Sequence, residues 1–168
     1  MIVIVNTTDN KEISALIQTD LEEKKVEYKI FEADTMNISP CLGCNYCWLK
    51  TPGNCMINDD YEQIVKLLAK GGQMWVISDT ALGFINHKGK NIYDRLMPIV
   101  TMNLEFRDKL MRHIMRYDTR PDVGVIFQGE ADKEFLDTWN KKVASNMNSE
   151  PLGVYEVNEI REAIACMQ

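Results

Sequence analysis

The residues of this chain best suited to chemistry are four cysteines that lie within fifteen positions of one another. They are Cys41, Cys44, Cys47 and Cys55. Thiolates are soft metal ligands, and three of them at two-residue intervals can surround one corner of a compact iron–sulfur cluster. The last cysteine follows a Pro-Gly turn and can complete a shell of four thiolates. The spacing therefore predicts a 4Fe–4S cluster in this loop.

Two other interpretations of the four cysteines stay open. Structural zinc is also bound by four cysteines, although zinc motifs usually consist of two separated Cys-x2-Cys pairs. Alternatively, the thiols hold no metal and pack as small apolar side chains. In a reducing compartment, such a cluster indicates metal binding or redox chemistry before it indicates disulfides.

A second candidate site is the loop at residues 6–11, between the first predicted strand and the first predicted helix. Hydroxyl groups and backbone amides at a helix N-terminus form a pocket for phosphate. We therefore predict that Thr7, Thr8 and Asn10 bind a phosphate group. The alternative is a simple helix cap, because Thr, Asp and Asn are common capping residues.

The remaining candidates are single residues, and no side chain is predicted to be catalytic. His87 lies in the loop after the third predicted strand, where it is either an acid, base or hydrogen-bond donor or a solvated residue. His113 lies in a basic stretch that we predict to be helical and at the surface. Cys166 has no partner at metal-binding spacing and is interpreted as structural.

The elements that must position these residues alternate along the chain. Strands are predicted at residues 1–6, 26–33, 74–77, 123–127 and 152–157, and helices at 11–25, 61–70 and 131–147, with a last helix capped by Asn158. The stretch 90–115 is predicted to be largely helical with a break at Pro98, and 78–89 is predicted to be a loop. This alternation predicts one α/β domain over residues 1–168, with a parallel sheet between helices. Ligands of such sheets bind beyond the carboxyl ends of the strands.

Composition narrows the class of protein. The chain is 45% apolar and 26% charged, which excludes a wholly disordered or collagen-like protein. Its 25 acidic against 19 basic residues argue against nucleic acid as a partner. The apolar runs are of strand length, so no membrane span is predicted. The first residues form a strand pattern without signal-peptide features, which predicts a cytoplasmic protein.

Two segments resemble a known family. The segment SPCLGCNYCWLKTPGNC, residues 39–55, with Asp59 and Asp60 after it, resembles the flavodoxin-like NAD(P)H-dependent FMN oxidoreductases. Within that group it is similar to the iron–sulfur flavoproteins. The segment KNIYDRL, residues 90–96, is similar to the Lys-x-Phe-Ile-Asp-Arg element after the family's third strand.

The resemblance implies a flavodoxin-like three-layer sandwich whose five-stranded parallel sheet has the order 2-1-3-4-5. It also implies FMN, with its phosphate in the first loop and its ring against two further loops. The residues expected at the ring are Thr80, Ala81, Leu82, Gly83, Phe84, Gln128 and Gly129. NAD(P)H or the cluster would supply electrons to a small-molecule or protein acceptor. A homodimer or higher homo-oligomer is expected, with the basic segment 107–120 as a dimerisation element.

The sequence departs from the family at both flavin loops. Asn6-Thr7-Thr8-Asp9 replaces the usual Gly-Ser-Pro-Arg, so an acid stands where a positive charge is usual. Asp79-Thr80-Ala81 replaces the usual Pro-x-Tyr. An acid beside a phosphate dianion lowers affinity unless it points away. The alternative function is therefore a non-catalytic flavodoxin-like binding or assembly module that has lost flavin.

Overall fold

The computed structural model describes residues 1–107 and 109–168. Its strands are β1 (Ile2–Asn6), β2 (Tyr28–Glu32), β3 (Gly72–Ala81), β4 (Phe84–Ile85), β5 (Val100–Arg107), β6 (Leu110–Met115), β7 (Pro121–Gln128) and β8 (Pro151–Glu156). Its α-helices are α1 (Lys11–Glu23), α2 (Tyr46–Leu49), α3 (Tyr61–Leu68), α4 (His87–Asp94), α5 (Lys133–Asn146) and α6 (Ile160–Ala165). Short 3-10 helices cover Ala33–Thr35, Met97–Ile99 and Val157–Glu159.

The central sheet has five parallel strands in the order β2-β1-β3-β7-β8. Counted along the chain, these five strands have the predicted order 2-1-3-4-5, which confirms the predicted fold class. In the register of the sheet, Ile4 of β1 lies between Ile30 of β2 and Trp75 of β3. The carboxyl ends of β1, β3 and β7 therefore meet at one edge, where the candidate loops emerge.

Both faces of the sheet are covered, which explains the continuous apolar runs of its central strands. On one face, Val3 and Val76 pack in a core that includes residues of α3, α4 and α5. On the other face, Ile4 and Trp75 pack against α1 and α6. No helix among the described residues combines the length and apolar character needed to cross a membrane.

The prediction of a largely helical stretch over 90–115 is wrong beyond Asp94, where α4 ends. Pro98 lies in a short 3-10 helix, and β5 and β6 then form an antiparallel hairpin. Residues 101–106 alternate polar and apolar side chains, and this period of two specifies a strand rather than a helix. As a consequence, His113 lies on β6 and not on a helix.

Two further boundaries differ from prediction. The loop expected at 78–89 is partly strand, because β3 continues to Ala81 and turns back into β4. The turn residues Leu82 and Gly83 both have positive φ, 53° and 78°, as a tight two-residue hairpin requires. Near the C-terminus, Glu156 rather than Asn158 caps the turn, through a reciprocal capping box with Glu159.

Candidate functional site

The four predicted ligand cysteines line a single cavity of about 340 Å³. Cys47 lies on α2, and Cys41 and Cys44 lie in the loop before it. The remaining wall is largely apolar and comprises Leu42, Gly43, Asn45, Trp48, Met56, Ile57, Asp94 and Met97, with Cys55 completing the thiol set. Gly53, with a φ of 86°, permits the turn that returns Cys55 to the other three cysteines.

The thiols affect one another electrostatically. Burial raises the pKa of Cys47, and the neighbouring thiols of Cys55, Cys41 and Cys44 raise it further. Without metal, burial and then the charges of the neighbouring thiolates therefore disfavour the thiolate form of Cys47. Iron bound in the cavity would remove this repulsion, because it neutralises the thiolate charges.

The donor set fits an iron–sulfur cluster. In the described part of the chain, no three His, Cys, Asp or Glu side chains converge as they would on a single metal ion. The thiolates of a 4Fe–4S cluster bind different iron atoms, so they surround a volume instead of meeting at a point. Four thiols lining one largely apolar cavity are the donor set that such a cluster uses. Cys44 Sγ lies 3.3 Å from Met56 Sδ, which adds a fifth soft sulfur to the wall.

A buried ion pair holds the two ends of the cysteine loop together. Arg95 donates to both carboxylate oxygens of Asp59, at 2.8 and 2.9 Å, and to the carbonyl oxygen of Ser39 at 2.6 Å. Both charged side chains are only 2% exposed. Burial alone would raise the pKa of Asp59, but the hydrogen bonds and charge of Arg95 outweigh it, so the pKa lies below its usual range. Sequence reasoning missed this role, although both residues belong to the two segments that resemble the family.

The β5–β6 hairpin supports α2 from the other side. The indole N–H of Trp48 donates to the carbonyl oxygen of Met97 at 2.9 Å. The ring of Trp48 also packs against the ring of His113, with centroids 5.2 Å apart. Arg116 donates to the carbonyl oxygen of Cys47 at 3.3 Å. His113 is therefore half-buried beside the cysteine cavity and is not a free surface residue.

At the carboxyl edge, the loop after β1 is folded onto itself. Thr7 and Thr8 are buried, with 1% and 0% exposure. The hydroxyl of Thr7 donates to the carbonyl oxygen of Ile77, and the hydroxyl of Thr8 donates to Asn6 Oδ1, each at 2.8 Å. Asn10 Oδ1 caps α1 by accepting from an amide of its first turn. Asn10 therefore acts as a helix cap, which was the alternative interpretation of this loop.

The ends of β3 and β7 contact each other at this edge. Asn10 Nδ2 donates to Gln128 Oε1 at 3.4 Å, and Gln128 Nε2 donates to Asp79 Oδ1 at 2.6 Å. Thr80 Oγ1 donates to the carbonyl oxygen of Gln128 at 3.4 Å. A Cβ on Gly129 would come within 2.4 Å of that hydroxyl oxygen. The structure thus brings these predicted cofactor residues together by direct contact.

The other predicted residues lie around the β3–β4 turn. Ala81 and Leu82 are exposed, whereas Gly83 is half-buried and accepts a hydrogen bond from the amide of Asp132 at 2.9 Å. Phe84 points inward and packs edge-on against Trp139, with centroids 5.0 Å apart. Of the two single residues left, His87 is exposed in the first turn of α4, and Cys166 lies 3.3 Å from the hydroxyl of Tyr155.

Comparison with known proteins supports both the motif and the fold. Over 90 residues, 54% of this chain, it is 27% identical to an iron–sulfur flavoprotein of Methanocaldococcus jannaschii, of which the match covers 45%. Over 86 residues, 51% of the chain, it is 30% identical to an iron–sulfur flavoprotein of Archaeoglobus fulgidus, of which the match covers 43%. These names confirm the resemblance seen in the cysteine motif. The matches span less than half of each relative's length, and no family model matches the chain.

Solved structures show the same fold at low identity. RosB, with a bound 8-demethyl-8-formylriboflavin-5′-phosphate, matches with a TM-score of 0.63 and 10% identity, over 98% of this chain and 75% of RosB. A protein of Streptococcus mutans matches with a TM-score of 0.60 and 13% identity, over 98% of this chain and 94% of that protein. An NADPH-quinone reductase of P. pentosaceus matches with a TM-score of 0.54 and 11% identity, over 99% of this chain and 95% of that protein. At these identities the likeness establishes the flavodoxin-like fold.

Proposed function

We propose that this chain is an electron-transfer protein that binds a 4Fe–4S cluster through Cys41, Cys44, Cys47 and Cys55. The observation that carries the proposal is that one cavity collects all four cysteines, with largely apolar side chains between them. The name of the two curated relatives, iron–sulfur flavoprotein, supports it. A cluster bound here supplies one-electron redox chemistry at a site open to a partner molecule.

The chain's own residues have three tasks in this proposal. The four thiols bind the metal group. Leu42, Trp48 and Met56 form the apolar side of the cavity, where Trp48 is half-buried and Leu42 and Met56 are exposed. The Asp59–Arg95 pair fixes the ends of the loop, so the thiols are preorganised before metal arrives.

FMN as cofactor and NAD(P)H as electron donor were predicted from the family resemblance, and the relatives' names support the flavin. The threonine hydroxyls at the carboxyl edge, however, are engaged within the protein. The residues present therefore do not fit an FMN phosphate in the predicted way. We therefore assign electron transfer to the cysteine cavity and not to a flavin.

Reconstitution without oxygen tests the proposal. Full-length metal-free protein is incubated with iron and sulfide, and iron, acid-labile sulfide and the visible spectrum are measured. We expect about four irons and four sulfides per chain, as a 4Fe–4S cluster contains. Replacement of any of the four cysteines by serine should lower the content, most for Cys44 and least for Cys55, whose flexible spacer can readjust.

Cys166→Ser is the matched control, because Cys166 contacts Tyr155 and does not line the cavity. It should bind as much iron as the unchanged protein. Equal iron in all five variants would show that the metal is adventitious. One zinc per chain and no iron would replace the proposal by the zinc interpretation, and no bound metal would favour a binding or assembly module.

We further propose that the protein is a homodimer joined through the β5–β6 hairpin. Its exposed apolar residues are Met102, Leu104, Phe106, Leu110 and Met111, each at least half exposed. Exposed apolar side chains gathered on one hairpin are typical of a protein–protein contact. Closed two-fold dimers are the most frequent homo-oligomers. The basic segment 107–120, which we predicted as a dimerisation element, overlaps this hairpin, whose apolar side chains are better suited to the contact.

A further inference from the structure

The carboxyl edge differs from a phosphate-binding edge in how its amides are used. In flavodoxin-like sheets, FMN binds where the connections of β1 and β3 diverge. A phosphate there needs free backbone N–H groups at the start of the following helix. In this chain the amides of Thr7, Thr8, Asn10 and Glu12 all donate to protein oxygens, at distances between 2.8 and 3.2 Å.

The charge of the edge also disfavours a phosphate. The three loops, at residues 6–12, 79–83 and 128–132, contain five acidic side chains and one lysine. The acids are Asp9, Glu12, Asp79, Glu130 and Asp132. The lysine, Lys11, lies 3.3 Å from Asp34 and so is already paired. A phosphate dianion at this edge would be repelled, with no free cation in these loops to offset the repulsion.

The residues predicted to contact the ring are also joined to one another. Gly83 pairs with Ala131 in a β-bridge, so the β3–β4 turn is attached to the loop after β7. Side-chain hydrogen bonds run from Asn10 through Gln128, at the end of β7, to Asp79 of β3. These contacts occupy the polar groups of the edge against which the resemblance places the flavin ring.

From these contacts we infer that the carboxyl edge is a closed structural seam that does not bind FMN, although the family resemblance implied FMN there.

Two measurements on full-length protein test the seam, with and without reconstituted metal. Titration followed by FMN fluorescence should show no saturable binding up to ~100 µM FMN. Hydrogen–deuterium exchange should show slow exchange of the Thr7 and Thr8 amides, unchanged by added FMN. Saturable binding of one FMN per chain, or rapid exchange that FMN slows, would overturn the inference.

Failure of the two proposals can be told apart. If no iron binds on reconstitution, the proposed function fails, but the FMN titration of the metal-free protein still decides whether the seam is closed.

Discussion

At the level of single residues, the Asp59–Arg95 pair is the contact on which the cysteine loop depends. Asp59→Asn keeps the shape of the side chain but leaves Arg95 charged and buried without its counterion. Removing one partner of such a pair costs about 3–5 kcal/mol. We expect this loss in urea unfolding of the metal-free protein at neutral pH.

The pKa of Asp59, which lies below its usual range, sets the pH dependence of that stability. The contribution is fully present above the unfolded pKa of about 4 and is lost as the pH falls through the lower folded value. Asp59→Asn should therefore remove an acid-dependent part of the unfolding free energy. Asp60→Asn is the control, because Asp60 accepts only an exposed amide of Asn37. Equal stability of the two variants would contradict the prediction.

The sequence predicted which residues meet in the cysteine cavity because ligand spacing is local. It did not predict the orientation of Thr7, whose hydroxyl donates to a carbonyl seventy positions further along the chain. It also missed Asp59 and Arg95 as a pair, since their contact depends on how α4 packs against the loop. Contacts between distant segments decide whether a polar side chain faces a ligand or the protein.

At the level of elements, the β3–β4 turn contains a residue poorly suited to its conformation. Leu82 is fully exposed and has a φ of 53°. Non-glycine residues in this region are strained, but asparagine tolerates it and Asn-Gly is favoured in such turns. Leu82→Asn should raise the free energy of unfolding by about 0.5–1 kcal/mol.

Leu82→Ala separates the two causes, because alanine removes the exposed leucine but keeps the strained conformation. We expect no gain for this control in the same urea titration. Equal stabilisation by alanine and asparagine would mean that exposure of the leucine, and not its φ, is the cause.

The β5–β6 hairpin shows where element prediction failed. Its basic and apolar residues can be placed on a helix as well as on a strand when only composition is considered. The alternation at residues 101–106 distinguishes the two, and Pro98 prevents α4 from continuing. The strands of the central sheet were predicted because their apolar runs are short and separated by helices.

At the level of the whole molecule, the alternation of strands and helices predicted a parallel sheet, and the order of its five strands was predicted from the family resemblance. The exposed hairpin surface was not, because exposure depends on which elements remain uncovered after the core has formed. An apolar residue in a sequence pattern predicts burial, whereas Phe106 is 73% exposed.

The proposed homodimer can be tested at this surface. Phe106→Glu places a charge at the most exposed of these apolar residues, which costs free energy if that residue is buried in a dimer. We expect light scattering after gel filtration to give twice 19.4 kDa for the unchanged protein and 19.4 kDa for the variant. Glu105→Gln, on the neighbouring position of β5, should remain dimeric. A monomeric unchanged protein would refute the proposal.

The contact between Trp48 and the cysteine cavity has an optical consequence. Its indole is held by Met97 and His113 at the cavity wall, whereas Trp75 is enclosed in the core on the other side of the sheet. Light emitted by Trp48 therefore depends on what occupies the cavity, since a strongly absorbing group at that distance quenches an indole. Trp48 is thus an intrinsic fluorescent reporter of the proposed metal site, readable without any label.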